Sequence, residues 1–125
     1  MNSSWADLTY EIVGALLSHN GKLYAGLGFS AAGKAEVWEY NGSTWTKVGG
    51  DGVNSSWPDA TYDEAITLAS HNDKVYAGLG FTVAGQAEVW EYNGSTWTKV
   101  GGDGVNSSWP DATYEQALSM TSHAG

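Results

Sequence analysis

The order of apolar and polar residues along the chain predicts short β-strands. In residues 22–28, KLYAGLG, the apolar residues Leu23, Ala25 and Leu27 alternate with Tyr24 and glycine. Such alternation places the two sets of residues on opposite faces of a strand. By the same reasoning we predict three more strands in the first part of the chain, at Ile12–Ser18, Ala35–Tyr40 and Thr44–Val48.

Turn residues separate these strands and predict that they run antiparallel. Asn20-Gly21 follows the first strand, and Asn41-Gly42 follows the third. Asn and Gly tolerate the positive φ angles of a tight hairpin turn, which favours an antiparallel hairpin at Asn20-Gly21. A second interpretation applies to residues 59–68, DATYDEAITL, because this stretch also fits the start of a helix.

The whole pattern recurs with a period of 52 residues. Residues 35–62 return letter for letter as residues 87–114. We treat residues 1–125 as one domain, divided into repeats at about 2–53, 54–105 and 106–125, the last of them partial. Four short strands and a return loop in a repeat of this length are typical of a β-propeller blade. The near-identity of the copies indicates recent amplification of one unit or deliberate design.

The composition supports an all-β protein. The chain contains seven Trp, seven Tyr and 17 Gly residues, but only two Pro. Aromatic residues favour the half-buried surface of a pleated sheet, and glycine supplies tight turns. The predicted fold class is therefore all-β, with β-propeller blades of four antiparallel strands each.

Each repeat resembles a kelch-type propeller blade, like those of the galactose oxidase central domain. A hydrophobic-Tyr strand ending in glycine, a V-W-x-Y strand and the Trp that follows carry the resemblance: Leu23, Tyr24, Gly28, Val37, Trp38, Tyr40 and Trp45, with Val75, Tyr76, Gly80, Val89, Trp90, Tyr92 and Trp97 in the second copy. The family usually has a double glycine where Phe29 here follows Gly28, and the connection NSSWPD is not typical of it. The resemblance implies a propeller fold and a role in protein binding.

The predicted blades are too few to close a propeller within one chain. By alignment the third repeat supplies a connection and one strand, Gln116–Ser122, which gives about two and a quarter blades. Single-chain propellers have about four to eight blades. We therefore predict that copies assemble head to tail into a closed homo-oligomer, with six blades from a trimer or eight from a tetramer. In such a ring, Gln116–Ser122 would replace Ile12–Ser18 of the neighbouring copy as an exchanged strand.

Charge and hydropathy argue against several classes of partner. The formal net charge is −9 with five Lys and Arg residues in total, whereas nucleic acid and anionic membranes require a basic surface. No run of 18 or more apolar residues is present, so we predict no membrane span. The chain has no cysteine, which excludes disulfides and thiolate metal sites.

The sequence carries none of the common catalytic motifs. It lacks G-x-S-x-G, P-loop and H-E-x-x-H patterns. Glu36 and Glu39 are three residues apart on one predicted strand, so they face opposite sides and do not form a catalytic pair. We predict no enzymatic activity and no cofactor.

Histidines and aspartates recur with the repeat, but their spacing does not predict a metal site. One histidine lies just before a turn in each copy: His19, His71 and His123. We interpret these residues as turn-stabilising rather than as ligands. Calcium needs six to eight oxygens, often at alternating positions of one loop, and the stretch with Asp51, Asp59 and Asp63 lacks this spacing.

The connection NSSWPD is the strongest candidate for ligand binding. An aromatic ring beside Asn, Ser and Asp can stack on a sugar and hydrogen-bond its hydroxyls. The candidate ligand-binding residues come from both complete copies of the connection: Asn54, Trp57, Asp59, Asn106, Trp109 and Asp111. The interpretation that we favour for Trp57 itself is structural: the ring fills the gap between neighbouring repeats and Pro58 stiffens the turn.

These observations predict a non-enzymatic β-propeller module that acts as a binding or self-assembling scaffold. Its main predicted partner is a further copy of the same chain. The alternative is a multivalent carbohydrate-binding lectin that uses the NSSW loops, because repeated sites gain avidity. A glycan or another protein is the candidate ligand.

Overall fold

A computed structural model describes residues 4–5, 12–28, 35–58, 62, 64–80, 87–110 and 117–123 of the 125-residue chain. Within these ranges the protein is all-β, as the sequence predicts, and its only helical segments are two short 3₁₀ turns. None of the described helical segments has the length and apolarity needed to cross a membrane. The eight strands are β1 Ile12–His19, β2 Lys22–Gly28, β3 Glu36–Tyr40, β4 Trp45–Gly49, β5 Glu64–His71, β6 Lys74–Gly80, β7 Glu88–Tyr92 and β8 Trp97–Gly101.

Each repeat folds as four consecutive strands that pair with their neighbours in sequence. All pairings are antiparallel, from β1 to β4 in the first repeat and from β5 to β8 in the second. The register is the same in both repeats, since Tyr24 lies opposite Glu39 and Tyr76 lies opposite Glu91. The two repeats are therefore copies of one structural unit.

The predicted hairpin turn forms in both repeats. Asn20 and Gly21 both have positive φ angles, 49° and 76°, as a type I′ turn requires. The corresponding Asn72 and Asp73 have φ angles of 50° and 61°. Aspartate thus replaces glycine without loss of the turn, because Asn and Asp tolerate the left-handed region better than most residues.

Several strand ends differ by one residue from the sequence prediction: β1 ends at His19, β3 begins at Glu36 and β4 ends at Gly49. The helical alternative for residues 59–68 is wrong from Glu64 onward, because Glu64–His71 is strand β5. Strand β4 begins one residue later than predicted, at Trp45. The Asn41 side chain causes this delay, since its Oδ1 accepts the backbone N–H of Thr44 at 3.0 Å and holds that residue in the turn.

The two four-stranded units join in one curled, half-barrel sheet. A single bridge between Gly28 and Glu64 links β2 to β5. Close packing accompanies this bridge: a Cβ atom added to Gly26 would lie 2.6 Å from the carbonyl oxygen of Ala65. Glycine is therefore required on β2, because only a bare backbone lets β5 approach this closely.

The hydrophobic core lies at the junction between the two repeats. Its large members come from both repeats and from the connection between them: Tyr24, Val37, Val48, Trp57, Tyr62, Leu68, Val75, Leu79, Tyr92 and Trp97. Burial of apolar surface stabilises a fold by about 25 cal/mol per Å². Much of the stability therefore depends on the contact between repeats rather than on either repeat alone.

Strand β1 is far more exposed than its copy β5. Leu16 on β1 has 63% of its surface exposed, whereas the corresponding Leu68 on β5 has 8%. Every residue of β5 is buried or half-buried, as expected for a strand with apolar residues on both faces. Strand β1 does not follow this pattern, because Ile12 and Val13 are each 46% exposed.

Residues 117–123 follow on the second repeat the path that β5 follows on the first. The Ala117 N–H donates to the carbonyl oxygen of Leu79 at 3.1 Å. A Cβ atom added to Gly78 would lie 2.8 Å from the Ala117 carbonyl oxygen, which repeats the contact of Gly26 with Ala65. The predicted strand Gln116–Ser122 does not form over residues 117–122, because within the described part of the chain this segment has a single backbone hydrogen bond to the sheet. Gln116 lies outside the described residues.

Candidate functional site

The connection between the repeats folds into a rigid turn that places Trp57. Gly52 has a left-handed backbone with φ of 74°, and the 3₁₀ turn Val53–Ser55 follows it. The Ser56 hydroxyl accepts the Gly50 N–H at 2.8 Å, and the Gly52 N–H donates to the Trp57 carbonyl at 3.0 Å. Two glycine N–H groups, the Ser56 hydroxyl and the Trp57 carbonyl therefore fix the backbone on both sides of the turn.

Asn54 stabilises this turn from its side chain. Its backbone has a left-handed conformation with φ of 54°, which asparagine tolerates. Its Nδ2 donates to the Val48 carbonyl at 3.0 Å. The copy at Asn106 makes the same bond to Val100 at 3.1 Å. Both predicted ligand-binding asparagines thus tie the connection to the preceding strand.

Trp57 lies between the two repeats and contacts both. It has no exposed surface. Its Nε1–H donates to the Ala35 carbonyl of the first repeat at 2.7 Å. Its ring packs edge-on against Trp90 and Trp97 of the second repeat, with centroids 5.7 and 5.1 Å apart. The fully buried indole thus fills the junction, as the favoured structural interpretation of the sequence predicts.

A second indole bond crosses the junction in the opposite direction. The Trp97 Nε1–H donates to the Val48 carbonyl at 2.8 Å, and the ring of Tyr92 stacks on Trp97 at 4.9 Å. Trp57 is the donor to the Ala35 carbonyl, and Trp97 joins Asn54 as a second donor to the Val48 carbonyl. The joint therefore combines apolar packing with specific hydrogen bonds.

The other two copies of the connecting tryptophan each make half of these contacts. Trp109 donates to the Ala87 carbonyl at 2.6 Å and is half-buried. Trp5 packs edge-on against Trp38 and Trp45, with centroids 5.9 and 5.0 Å apart. Asp59 and Asp111, the remaining predicted ligand-binding residues, lie outside the described residues. The structure thus gives a packing role to Trp57, and the ligand-binding role of the six residues stays a prediction.

The repeated histidines also contact the next repeat. His19 Nδ1 lies 2.6 Å from the Ser70 hydroxyl, and His71 Nδ1 lies 3.0 Å from the Ser122 hydroxyl. His71 Nε2 additionally accepts from the Asn72 side chain in the adjoining turn at 3.1 Å. These residues therefore connect repeats as well as supporting a turn. The signal was present in the sequence, because serine and histidine recur together with the same offset.

A carboxylate that accepts two side-chain donors recurs in both repeats. Glu39 accepts from Lys22 at 3.0 Å and from the Tyr24 hydroxyl at 2.7 Å. In the second repeat, Glu91 accepts from Lys74 at 2.9 Å and from Tyr76 at 2.6 Å. Sequence reasoning missed this network, although all three residue types lie on paired strands and repeat together.

The first network borders a cavity of about 160 Å³ between the repeats. The first repeat lines it with His19, Lys22 and Glu39, and the second with Asp73 and Tyr92. Burial raises the pKa of Tyr92, and the Glu39 carboxylate raises it further. Burial likewise raises the pKa of Tyr24, with the Glu39 hydrogen bond as the second cause.

Glu36 and Glu88 form a separate network on the other face of the sheet. Glu36 accepts from the Trp38 indole at 2.8 Å and from Lys47 at 3.1 Å. Glu88 makes the same contacts with Trp90 and Lys99. Glu36 and Glu39 therefore serve different partners, as expected for opposite faces. Among the described residues, no group of three or more histidines and carboxylates could hold a metal ion.

The second network predicts how stability depends on pH. Burial and the bond to Glu91 raise the pKa of Tyr76 from 10.0 to about 12. A raised pKa favours the folded, neutral tyrosine, so this contribution is complete below pH 10 and lost as pH rises towards 12. The Tyr76 hydrogen bond also lowers the pKa of Glu91 from 4.5, so its contribution is lost on acidification below that value.

The variant Tyr76→Phe tests both halves of this prediction. It should flatten the loss of stability between pH 10 and 12, because the ionising hydroxyl is absent. It should also reduce the loss of stability on acidification below pH 4.5, because without the Tyr76 donor the pKa of folded Glu91 lies closer to its ordinary value. Denaturation midpoints measured across both pH ranges check the result, and unchanged slopes on both sides would contradict it.

No protein-family model, no curated protein and no solved structure matches the chain. The repeat must therefore be interpreted from its own geometry.

Proposed function

We propose that the chain is a non-enzymatic, self-assembling scaffold in which each four-stranded repeat acts as a β-propeller blade. Copies of the chain join head to tail through the same surfaces that join the two repeats. One observation carries the proposal. Tyr40 and Trp45 of the first repeat are half-buried, whereas their counterparts Tyr92 and Trp97 are only 5% and 3% exposed at the internal junction.

The surface that faces these aromatic residues is also present twice in the chain. At the internal junction, Val48 belongs to the shared core, and its carbonyl accepts the Trp97 indole. Its copy Val100 is half-buried. Because residues 35–62 and 87–114 are identical, Val100 of one copy offers Trp45 of the next the surface that Val48 offers Trp97.

The energetics favour covering these aromatic rings. Tyr and Trp each bury about 150–250 Å² when fully covered. Completing the burial of two half-exposed rings at about 25 cal/mol per Å² contributes a few kcal/mol, before the cost of association. The hydrogen bond from the Trp45 indole to the Val100 carbonyl depends on geometry, so one copy fits the next in a single orientation.

Joined copies close into a ring when the rotation at each joint divides the circle evenly. We propose six blades from three copies or eight from four, the usual range for propellers. Residues 117–123 then lie beside β2 of the next copy, in place of its β1. Through this exchange, each copy contributes one segment to the sheet of the next copy.

Carbohydrate binding is not part of this proposal. Stacking on a sugar requires an exposed ring face, and Trp57 has no exposed surface. No observation on the described residues favours a glycan or a foreign protein over a second copy of the chain.

The mass of the protein in solution tests the proposal. Light scattering and native mass spectrometry of the 125-residue chain should give the mass of a trimer or tetramer at micromolar concentration. A monomer throughout that range would contradict the proposal.

A matched pair of variants on β8 tests the surface. Val100→Asp puts a carboxylate where the next copy packs, and an unpaired buried charge should raise the dissociation constant at least about tenfold. Thr98→Asp adds the same charge at an exposed position on the same strand and should leave assembly intact. Equal effects of the two variants would show that this side of β8 is not the joint.

A further inference from the structure

We infer that Trp5 and Trp109 compete for one docking surface, the pair of rings formed by Trp38 and Trp45. Trp5 of the same chain covers this pair, and Trp109 of a second copy replaces it on assembly. The inference rests on the proposed head-to-tail assembly. It adds a self-capping contact that regulates how tightly copies join.

The internal junction supplies the template for a complete tryptophan site. On one side, Trp57 donates to Ala35, and its ring lies 3.1 Å from the Cβ position of Gly49. On the other side, its ring packs against Trp90 and Trp97. A complete site thus holds one indole between two sides. The rear side is a carbonyl oxygen and a glycine, and the front side is a pair of tryptophan rings.

Each of the two remaining tryptophans has one side of this site. Trp109 has the rear side, since it donates to the Ala87 carbonyl and its ring lies 3.0 Å from the Cβ position of Gly101. Trp5 has the front side, with the two rings of Trp38 and Trp45. When two copies meet, the rear side of one and the front side of the other make one complete site. Trp109 of the first copy and Trp5 of the second then compete for this site, which holds a single indole.

The contacts already made decide which indole stays. Trp109 has a 2.6 Å hydrogen bond, and its backbone is fixed by bonds from Gly104 N–H to its carbonyl and from Gly102 N–H to the Ser108 hydroxyl. The contacts of Trp5 with described residues are its two edge-on ring contacts. Removing Trp5 therefore breaks less than removing Trp109 does.

The segment that follows Trp109 supports the same choice. Ala117 meets Gly78 so closely that a Cβ atom there would lie 3.2 Å from the Ala117 Cβ. The corresponding residue of β1 is Val13, which would bring a larger side chain to this contact. The C-terminal segment therefore fits the second repeat better than β1 of another copy does, and Trp109 comes with it.

Two variants with the same chemical change test the competition, because the expected effects have opposite signs. Trp5→Ala should lower the dissociation constant of assembly about tenfold, the order expected when two competing aromatic contacts disappear. Trp109→Ala should raise it about tenfold or more. Sedimentation velocity over a dilution series measures both, with far-ultraviolet circular dichroism to check folding. If Trp5→Ala fails to fold, Trp5→Phe carries the same expectation with a smaller shift.

The outcomes distinguish competition between Trp5 and Trp109 from head-to-tail assembly itself. If the unaltered chain assembles and Trp5→Ala weakens assembly or leaves it unchanged, the inference is overturned while the assembly proposal stands. If neither the unaltered chain nor any variant exceeds the monomer mass, the assembly proposal fails, and the inference fails with it. Stronger assembly of Trp5→Ala together with weaker assembly of Trp109→Ala supports both.

Discussion

Replacing Trp57 by alanine is expected to destabilise the protein by about 3–5 kcal/mol, the range for truncating a large buried aromatic residue. The side chain has no exposed surface and holds both repeats, so its loss leaves a cavity at their junction. It also leaves the buried Ala35 carbonyl without its 2.7 Å donor. Because small domains are stable by about 5–15 kcal/mol, this variant should unfold at far lower denaturant concentration.

Trp109→Ala is the matched control for Trp57→Ala. It removes the same side chain from an identical stretch of sequence, but the residue is half-buried. Chemical denaturation of dilute protein, where assembly does not contribute, should show a clearly smaller loss for Trp109→Ala. Equal losses would mean that the packing between repeats does not determine the cost.

Gly26→Ala is expected to destabilise the fold by about 1–3 kcal/mol, as overpacking does in well-packed cores. The new methyl group would lie 2.6 Å from the Ala65 carbonyl oxygen, and this backbone atom cannot move without shifting β5. The two repeats must therefore separate slightly, which also disturbs the core around Trp57. Thermal and chemical denaturation measure the loss.

Two further glycine variants test whether the destabilisation by Gly26→Ala comes from its contact with the Ala65 carbonyl oxygen. Gly14→Ala lies on β1, where the nearest atoms to the added carbon are at 3.6 Å, so it should be tolerated. Gly78→Ala would place the added carbon 2.6 Å from Thr67 Cγ2 and 2.8 Å from the Ala117 carbonyl oxygen, so it should displace the Thr67 side chain and release residues 117–123 while the repeats stay joined. Hydrogen exchange at Ala117 reports that release. A loss from Gly14→Ala as large as that from Gly26→Ala would contradict the packing argument.

Local structure could be predicted from the sequence because it depends on local rules. The alternation in KLYAGLG gave strand β2 with both its ends, and Asn20-Gly21 gave the turn before it. The start of β4 could not be predicted in the same way. It depends on which backbone groups the Asn41 side chain holds, and alternation carries no information on that choice.

Contacts between repeats were beyond the reach of the same rules. A period of two shows which residues share a face, but not what covers that face. Leu16 and Leu68 occupy the same place in their strands, yet Leu16 is exposed whereas Leu68 belongs to the core at the junction between the repeats. Trp57 presented the same difficulty. The Asn, Ser and Asp residues near it in the sequence are compatible with a sugar-binding site as well as with a buried contact between repeats. Only the ring contacts with Trp90 and Trp97 place it in the joint.

The close approach of β5 to Gly26 has a consequence for growth. In the proposed head-to-tail assembly, the joint has two unlike sides, so copies would add in one direction only, and a two-fold symmetric dimer would not use it. Whether such one-way addition stops depends on the angle between successive units, since a mismatched angle gives an open helical filament. In the proposed assembly, the close approaches at Gly26 and Gly78 limit how neighbouring units lie against each other. An added methyl group at Gly26 would therefore alter that angle as well as destabilise the fold, and an altered angle turns a closed ring into an open filament.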